Sequence, residues 1–316
     1  LVASGPKTAI IGAGMAGLTC AQALMQRGVD VVVFDKSRGL GGRIATRRAD
    51  GGFQFDHGAQ YLTPKTAGFS AMLSRAHAAG AVMPWTHDGK DAVHVGVPGM
   101  TGLAKYQSLG LTIRREALVN AIIPMNRRWK LVWGDGEDVF DRVVVTAPAP
   151  QIGALLPEGH SFNAALDTVE MDPCLTLMVG MPFGVKVPFV SRRTPDEDIA
   201  WVVCDSDKPG RPDTTCIVAQ AGRDWSMRHL ELERDAFAQM MLPLVAEVIG
   251  ADLVKEQAYV SGHRWRYAFV SRPLGQPFLM SEDQTLFAGG DWCLGARAED
   301  AWSSGQAIAQ KITDGM

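Results

Sequence analysis

The chain has 316 residues, of which 47% are hydrophobic and 21% charged, with a mean hydropathy of +0.01. That is the composition of about two soluble globular domains, and it excludes a mostly disordered or fibrous chain. Lys plus Arg number 31 against 34 Asp plus Glu, a formal net charge of −3, so no basic excess points to nucleic acid or an anionic membrane as partner.

Thr8 to Ile11 is a short apolar run that ends in Gly12, the pattern of a buried strand. Met15 to Arg27 has helical periodicity and stops at Gly28. Val31 to Phe34 is a second buried strand, ending at Asp35. Together they predict a βαβ unit with parallel strands and a right-handed crossover. Thr8 to Met25 is apolar enough to resemble a leader. Its glycines, its lack of a basic flank and the strand that follows mark it as folded core instead.

Arg38 to Arg43 is an irregular glycine-rich loop. Pro64 to Gly80 predicts a helix with Phe69, Met72, Leu73 and Ala76 on one face. Between Leu111 and Thr146 four strand-like runs follow, at 111–113, 117–123, 129–133 and 139–145, with a hairpin at Gly134-Asp135-Gly136. Pro148 and Pro150 mark a domain boundary. Cys174 to Ala219 is again rich in strand formers, interrupted by Pro182, Pro188, Pro195 and Pro209. Ser226 to Ile249 predicts one long helix that Pro243 kinks or splits, with Met240 and Met241 filling core. Leu286 to Asp291 is a late strand and turn, and Ala301 to Ile312 a final helix.

The five cysteines, Cys20, Cys174, Cys204, Cys216 and Cys293, include no C-x-x-C pair. They form no disulfide framework and suit a reducing cytoplasm. The seven histidines lack zinc-ligand spacing, so no metal is expected.

Chemistry concentrates first at Gly12-Ala13-Gly14-Met15-Ala16-Gly17, a G-x-G-x-x-G between strand and helix. The first glycine permits the turn, the second lets a pyrophosphate approach the backbone, and the third allows close helix–strand packing. The helix start offers free N–H groups to phosphate. Asp35, with Lys36 beside it, is placed to accept hydrogen bonds from ribose hydroxyls. Arg43 closes the following loop and can neutralise a second face of the pyrophosphate.

Glycine motif, acid and R-x-x-G-G-R together resemble the N-terminal signature of FAD-dependent amine-oxidase-type flavoproteins, with Asp35 where that family usually carries Glu. By the same resemblance, Gly290-Asp291 returns to the ribityl phosphate. A narrower likeness spans nearly the whole chain. Asp56-His57-Gly58-Ala59-Gln60-Tyr61, Met171-Asp172-Pro173, His263-Arg264-Trp265-Arg266-Tyr267-Ala268, Gly290-Asp291-Trp292-Cys293-Leu294 and Ala301-Trp302-Ser303-Ser304-Gly305 resemble bacterial renalases. One departure is Phe269-Val270-Ser271-Arg272, inserted before Pro273 where those proteins run almost directly to proline.

The resemblance implies an α/β, p-hydroxybenzoate-hydroxylase-like fold, with a Rossmann-type FAD-binding domain and a mixed β-sheet and helix substrate domain. Residues 1–75, 98–150 and 278–316 are expected to form the FAD domain, and 76–97 and 151–277 the substrate domain. FAD is expected to be non-covalent. Gly58, Ala59, Gln60 and Tyr61 join the cofactor set. So do Glu299, Asp300 and Ala301, at a helix start aimed at the flavin's pyrimidine edge. The implied reaction is oxidation of 1,2- and 1,6-dihydro-NAD(P), with hydride passing to flavin N5. Dioxygen, giving hydrogen peroxide, or another acceptor then takes the electrons.

His263, Trp265 and Tyr267 alternate along an apparent strand and should share one face, with Arg264 and Arg266 on the other. They are the substrate-pocket candidates; a strand packing its aromatics into the core is the alternative. A hydride leaving a dihydropyridine is driven by the ring nitrogen's electron pair, and no acid–base dyad is assigned. Amine oxidation at the same flavin, or an FAD-bound sensor without turnover, are the other functions compatible with these residues. His57 fits either a flavin-facing or a structural role. Arg192-Arg193 fits a solvated pair or a contact to substrate phosphate. Cys293 is not assigned as a covalent flavin link. The expected location is cytoplasmic, with no nucleic-acid or membrane partner.

Overall fold

The computed structural model describes residues 6–86, 92–181, 187–250 and 257–315. Pro182 and residues 87–91, both within the segments expected to build the substrate domain, lie outside them. The central sheet has six strands in the order Leu279–Met280, Leu286–Ala288, Arg142–Val145, Lys7–Ile11, Asp30–Phe34, Thr112–Arg114. Its ladders are parallel except between the first two strands. Val and Ile fill both faces of the inner strands, as a sheet covered on both sides requires.

The helices Met15–Met25 and Ala298–Asp314 cover one face. They meet at backbone distance, since a Cβ on Gly305 would stand 2.3 Å from the Ala16 carbonyl oxygen. The meander Val119–Met125, Arg128–Trp133 and Gly136–Phe140 lies over the other face. The run predicted over 139–145 is therefore two strands in two sheets. Phe140 is buried among the meander's core residues, while the Asp141 N–H reaches Lys7 O at 2.9 Å and opens the parallel ladder.

The second sheet is antiparallel, in the order Ser191–Arg193, Ile199–Cys204, Thr215–Ala221, Glu170–Met181, Tyr259–Arg272. One face packs Leu175, Leu177 and Val179 against Phe237 and Met241 of the helix Arg234–Ile249. The other packs Met178 and Val218 against Phe53 and Phe55, the latter on the ladder Thr46–Arg48 with Gln54–Asp56. The strand Tyr259–Arg272 includes the extra residues before Pro273, with a register shift at Ser271: Val270 is buried, Phe269 stays exposed, and Arg272 pairs with Glu170 at 2.9 Å.

Two helix expectations are corrected. The long helix breaks at His229–Glu233, between Arg223–Arg228 and Arg234–Ile249, and Pro243 lies inside the second piece. Its ring sits on the exposed side, where the carbonyl of Gln239 that it deprives of a donor can be hydrated. Met241 is core, but Met240 is 44% exposed. The last helix begins at Ala298, three residues before its predicted start, because the Asp300 carboxylate accepts the Arg297 N–H at 2.9 Å and so caps that turn. Among the described residues no helix is long and apolar enough to cross a membrane, and no His, Cys, Asp or Glu group could hold a metal ion.

Candidate flavin and substrate site

The glycine loop divides its labour by position. Gly12 has φ +111°, which only glycine adopts without strain. A Cβ on Gly17 would stand 1.9 Å from Gly12 O, whereas one on Gly14 would meet nothing within 4 Å. The space above Gly14 is thus left open at the start of a helix with no side-chain cap and no acid in its first turn. The amides of Met15, Ala16 and Gly17 point into it. Asp35 accepts the N–H groups of Ala13 and Ser37, each at 2.7 Å, and each oxygen keeps a lone pair for a hydroxyl. Lys36 beside it is exposed. Gly41 bridges back to Gly14 and donates to Ala13 O at 2.9 Å, folding the Arg38–Arg43 loop over the cradle.

Arg43 makes a two-pronged ion pair with Asp291, both bonds at 2.6 Å, and also reaches Ala268 O at 3.1 Å. This joins the first third of the chain to the Gly290-Asp291 turn and to the aromatic strand. Gly290 is held by Ser304, whose hydroxyl oxygen accepts its N–H at 3.0 Å. Cys293 is fully buried, and burial pushes its thiol up to about 12. It stays protonated and unreactive.

The segment His57–Tyr61 crosses from the Arg38–Arg43 loop to the antiparallel sheet. Directly paired residues share a face, so the register places Arg193, Trp201, Gln220, Thr176 and His263 in one row across all five strands. His57 lies edge-on to His263 at 4.6 Å between ring centroids. Gln220 donates to Gly58 O at 2.8 Å, and Tyr61 lies edge-on to Trp201 at 5.4 Å. A Cβ on Gly58 would strike Arg43 O at 2.1 Å, and the neighbouring Ala59 N–H donates to that same oxygen at 2.9 Å.

The His57 corner is aromatic and uncharged. Trp265 stacks on His57 at 5.1 Å, donates its indole N–H to His57 O at 2.8 Å, and touches His263 at 4.3 Å. Burial, reinforced by the Arg47 charge, lowers His57 to about 4. Burial, then His57, Arg234 and Arg47, lowers His263 to about 3. Both imidazoles are neutral at ordinary pH. As the alternation predicts, Arg264 and Arg266 lie on the opposite face, where Arg264 donates to Leu232 O and Arg266 pairs with Glu231 at 2.6 Å. Tyr267 departs from that simple alternation. Pairing passes from Cys174↔Trp265 to Asp172↔Phe269, because Pro173 has no N–H for the ladder, and the bulge leaves Tyr267 without a ring or hydrogen-bond contact among the described residues.

Besides the Arg43–Asp291 pair, three expected cofactor side chains, Gln60, Glu299 and Asp300, are engaged by other parts of the protein. Gln60 is buried, donating to Asp56 O at 2.6 Å and accepting from Lys208 at 3.0 Å. Glu299 accepts the N–H groups of Lys65 and Thr66 at 2.9 and 2.7 Å, holding the start of the helix Ala67–Ala78. Asp300 caps its own helix, and Ala301 is buried behind it.

Sequence reasoning missed a buried charge quartet beneath His57. Lys208 contacts Asp205 at 2.5 Å and Asp56 at 3.4 Å, and Arg211 pairs with Asp56 and donates to Gly96, Pro98 and Pro209 carbonyls. Thr46 and the Met100 N–H complete the Asp56 shell at 2.7 and 2.9 Å. Against the cost of burial, the two cations hold Asp56 below the usual carboxylate range, whereas burial and Asp56 push Asp205 above it. Lys208 and Arg211 flank Pro209 in a loop that gives no periodic signal.

Residues 10–76 match the NAD(P)-binding Rossmann-like domain, and residues 100–313, more than half the chain, match the flavin containing amine oxidoreductase family. The chain belongs to the flavin-containing amine oxidoreductases. FAD is its cofactor, and the open space above Gly14, the free helix amides and Asp35 fit the nucleotide half of that molecule. Similar solved structures include a protein assigned as a protoporphyrinogen oxidase from Exiguobacterium sp. 255-15. It has a TM-score of 0.80 and 14% identity, covering 99% of this chain and 100% of that one. Cyclohexylamine oxidase from Brevibacterium oxydans IH-35A gives 0.75 and 11%, covering 98% and 99%. Putrescine oxidase bound to putrescine gives 0.68 and 14%, with the same coverage. At such identities the likeness establishes the fold: a flavin-dependent oxidoreductase fold of Rossmann-like and amine-oxidase domains.

Proposed function

We propose that this FAD-dependent oxidoreductase oxidises 1,2- and 1,6-dihydro isomers of NAD or NADP to the normal oxidised cofactor, the activity of the bacterial renalases that its sequence resembles. The carrying observation is the His57–His263–Trp265 corner: flat rings, two neutral imidazoles and a nearby Arg47 cation. Bound in the Gly12–Gly17 cradle with Asp35, FAD would supply the two-electron acceptor for this oxidation, with dioxygen, giving hydrogen peroxide, or another acceptor as the final oxidant.

The residues supply position and field. Trp265, fixed by its bond to His57 O, offers a rigid face for a planar ring. Both imidazoles are unprotonated, but with values lowered to about 4 and 3 they are too weakly basic to be matched to proton abstraction at pH 7, and loss of hydride from a dihydropyridine requires no base. The guanidinium of Arg47 disfavours an ammonium group and favours a phosphate-bearing ligand. Tyr267 and the backbones of Gly58 to Tyr61 are assigned to the same cavity. Non-covalent FAD is supported by the inert Cys293 thiol, and a cytoplasmic location by the unpaired cysteines.

Amine oxidation is the second reading, favoured by membership of the family itself. Anaerobic titration separates the two. Bleaching of the flavin by the dihydro isomers supports the first; bleaching by simple amines with no response to the isomers supports the second. A flavin that no substrate bleaches would indicate a sensor.

A further inference from the structure

The row across the antiparallel sheet ends, at the strand farthest from His263, in Arg193, whose guanidinium carbon lies over the Trp201 ring, 5.0 Å from its centroid. A cation–π contact with an indole face uses none of the guanidinium's N–H donors in a hydrogen bond to an acceptor, so they remain available to grip a phosphate with two parallel bonds. Among the described residues Arg193 has no carboxylate partner. The nearby acid Asp198 is paired with Arg228 at 2.8 Å. Its neighbour Arg192 is on the other face of the strand, donating to Val248 O at 3.3 Å. The two consecutive arginines are thus separated by the pleat, one toward Tyr61 and the cofactor segment, the other toward the helix Arg234–Ile249.

We propose that Arg193, seated on Trp201, is an anion subsite for the phosphates of an extended nucleotide substrate whose reacting ring lies at the His57–His263–Trp265 corner. The proposal rests on the function given above. Four strand-to-strand steps separate Arg193 from His263, roughly 19 Å at about 4.8 Å per step. A lone ring cannot touch both ends, but a ring joined to phosphates can. The subsite would select for dinucleotides over the neutral dihydronicotinamide ribosides.

The test is calorimetric titration of the FAD-loaded enzyme with ADP-ribose, which carries the phosphates without the reacting ring, in the wild type, Arg193→Gln and Arg192→Gln. Arg193→Gln should weaken binding about tenfold or more, the scale of a lost charge-assisted pair, and Arg192→Gln should leave it unchanged. In turnover, the preference for a dihydro dinucleotide over its riboside, taken as the ratio of kcat/KM, should fall about tenfold in Arg193→Gln. No binding of ADP-ribose to the wild type, equal affinity in Arg193→Gln, or an equal loss in Arg192→Gln would overturn the subsite. If the dihydro isomers fail to reduce the flavin while ADP-ribose binding still depends on Arg193, the proposed reaction fails and the subsite stands.

Discussion

Trp265 donates its indole N–H to His57 O at 2.8 Å while its ring stacks on the His57 imidazole at 5.1 Å. One side chain therefore fixes both the height and the tilt of the wall on which a planar substrate would lie. Trp265→Phe keeps a ring but loses the hydrogen bond, and should slow anaerobic flavin reduction about fivefold, the size of one net hydrogen bond. Trp265→Ala should slow it further, with FAD retained in both. Normal reduction rates in a folded Trp265→Ala protein would return this strand to simple packing.

The glycine loop predicts opposite outcomes for two similar substitutions. Gly14→Ala places its methyl in open space and should leave the melting temperature nearly unchanged, yet it fills the approach to the helix amides and should weaken FAD binding at least tenfold. Gly17→Ala drives a methyl into Gly12 O and should destabilise the fold by about 1–3 kcal/mol. Fluorescence titration of the apoprotein with FAD and thermal melts read the two effects. Equal FAD affinity in Gly14→Ala and wild type would exclude this cradle as the phosphate site.

The quartet of Asp56, Asp205, Lys208 and Arg211 should be costly to break singly. Lys208→Met leaves Asp56 and Asp205 facing each other with Arg211 alone, an uncompensated buried charge worth about 3–5 kcal/mol. Lys208→Met combined with Asp205→Asn should recover part of that loss. Denaturant midpoints decide; a single-variant loss below about 1 kcal/mol would contradict the charge assignment.

His57 and His263, the two most strongly depressed of four lowered histidines among the described residues, give a pH dependence with a definite sign. With folded values of about 4 and 3 against an ordinary 6.5, the native state binds fewer protons than the unfolded chain below pH 6.5. Their stabilising share is present above that value and declines as pH falls toward 4 and then 3. His263→Asn should flatten the stability slope between pH 6 and 4 by up to one proton. Flavin reduction should show no imidazole inflection between pH 6 and 9. An inflection near 6.5 that disappears in His263→Asn would show that the ring is not held neutral.

What could be read from the sequence follows from which interactions are local. The βαβ unit, its glycine loop and Asp35 lie within one stretch whose apolar periodicity and turn residues agree, and the structure has them in place. The break before Arg234 and the harmless Pro243 depend on which helix face meets water, which periodicity alone did not show. The roles of Gln60 and Glu299 were hidden for another reason: their partners, Lys208 and Thr66, lie 148 and 233 positions away. The Arg192–Arg193 pair carries no helical or strand signature strong enough to separate its two members; only the register of five strands does so.

Which carbon donor the pocket accepts is read most directly by stopped-flow bleaching of the FAD-loaded enzyme under nitrogen. Each purified dihydro isomer is mixed separately, alongside 1,4-dihydro-NAD and simple amines. The 1,2- and 1,6-dihydro carbons flank the ring nitrogen and exchange places when the ring is flipped, so one stacked pose serves both. The 1,4 carbon lies at the far end of the ring, and reaching the same point would require sliding past the wall set by Trp265. Rapid bleaching by both the 1,2- and 1,6-isomers, with little or none by 1,4-dihydro-NAD, is the predicted result. Rapid bleaching by amines with no response to either isomer would contradict it.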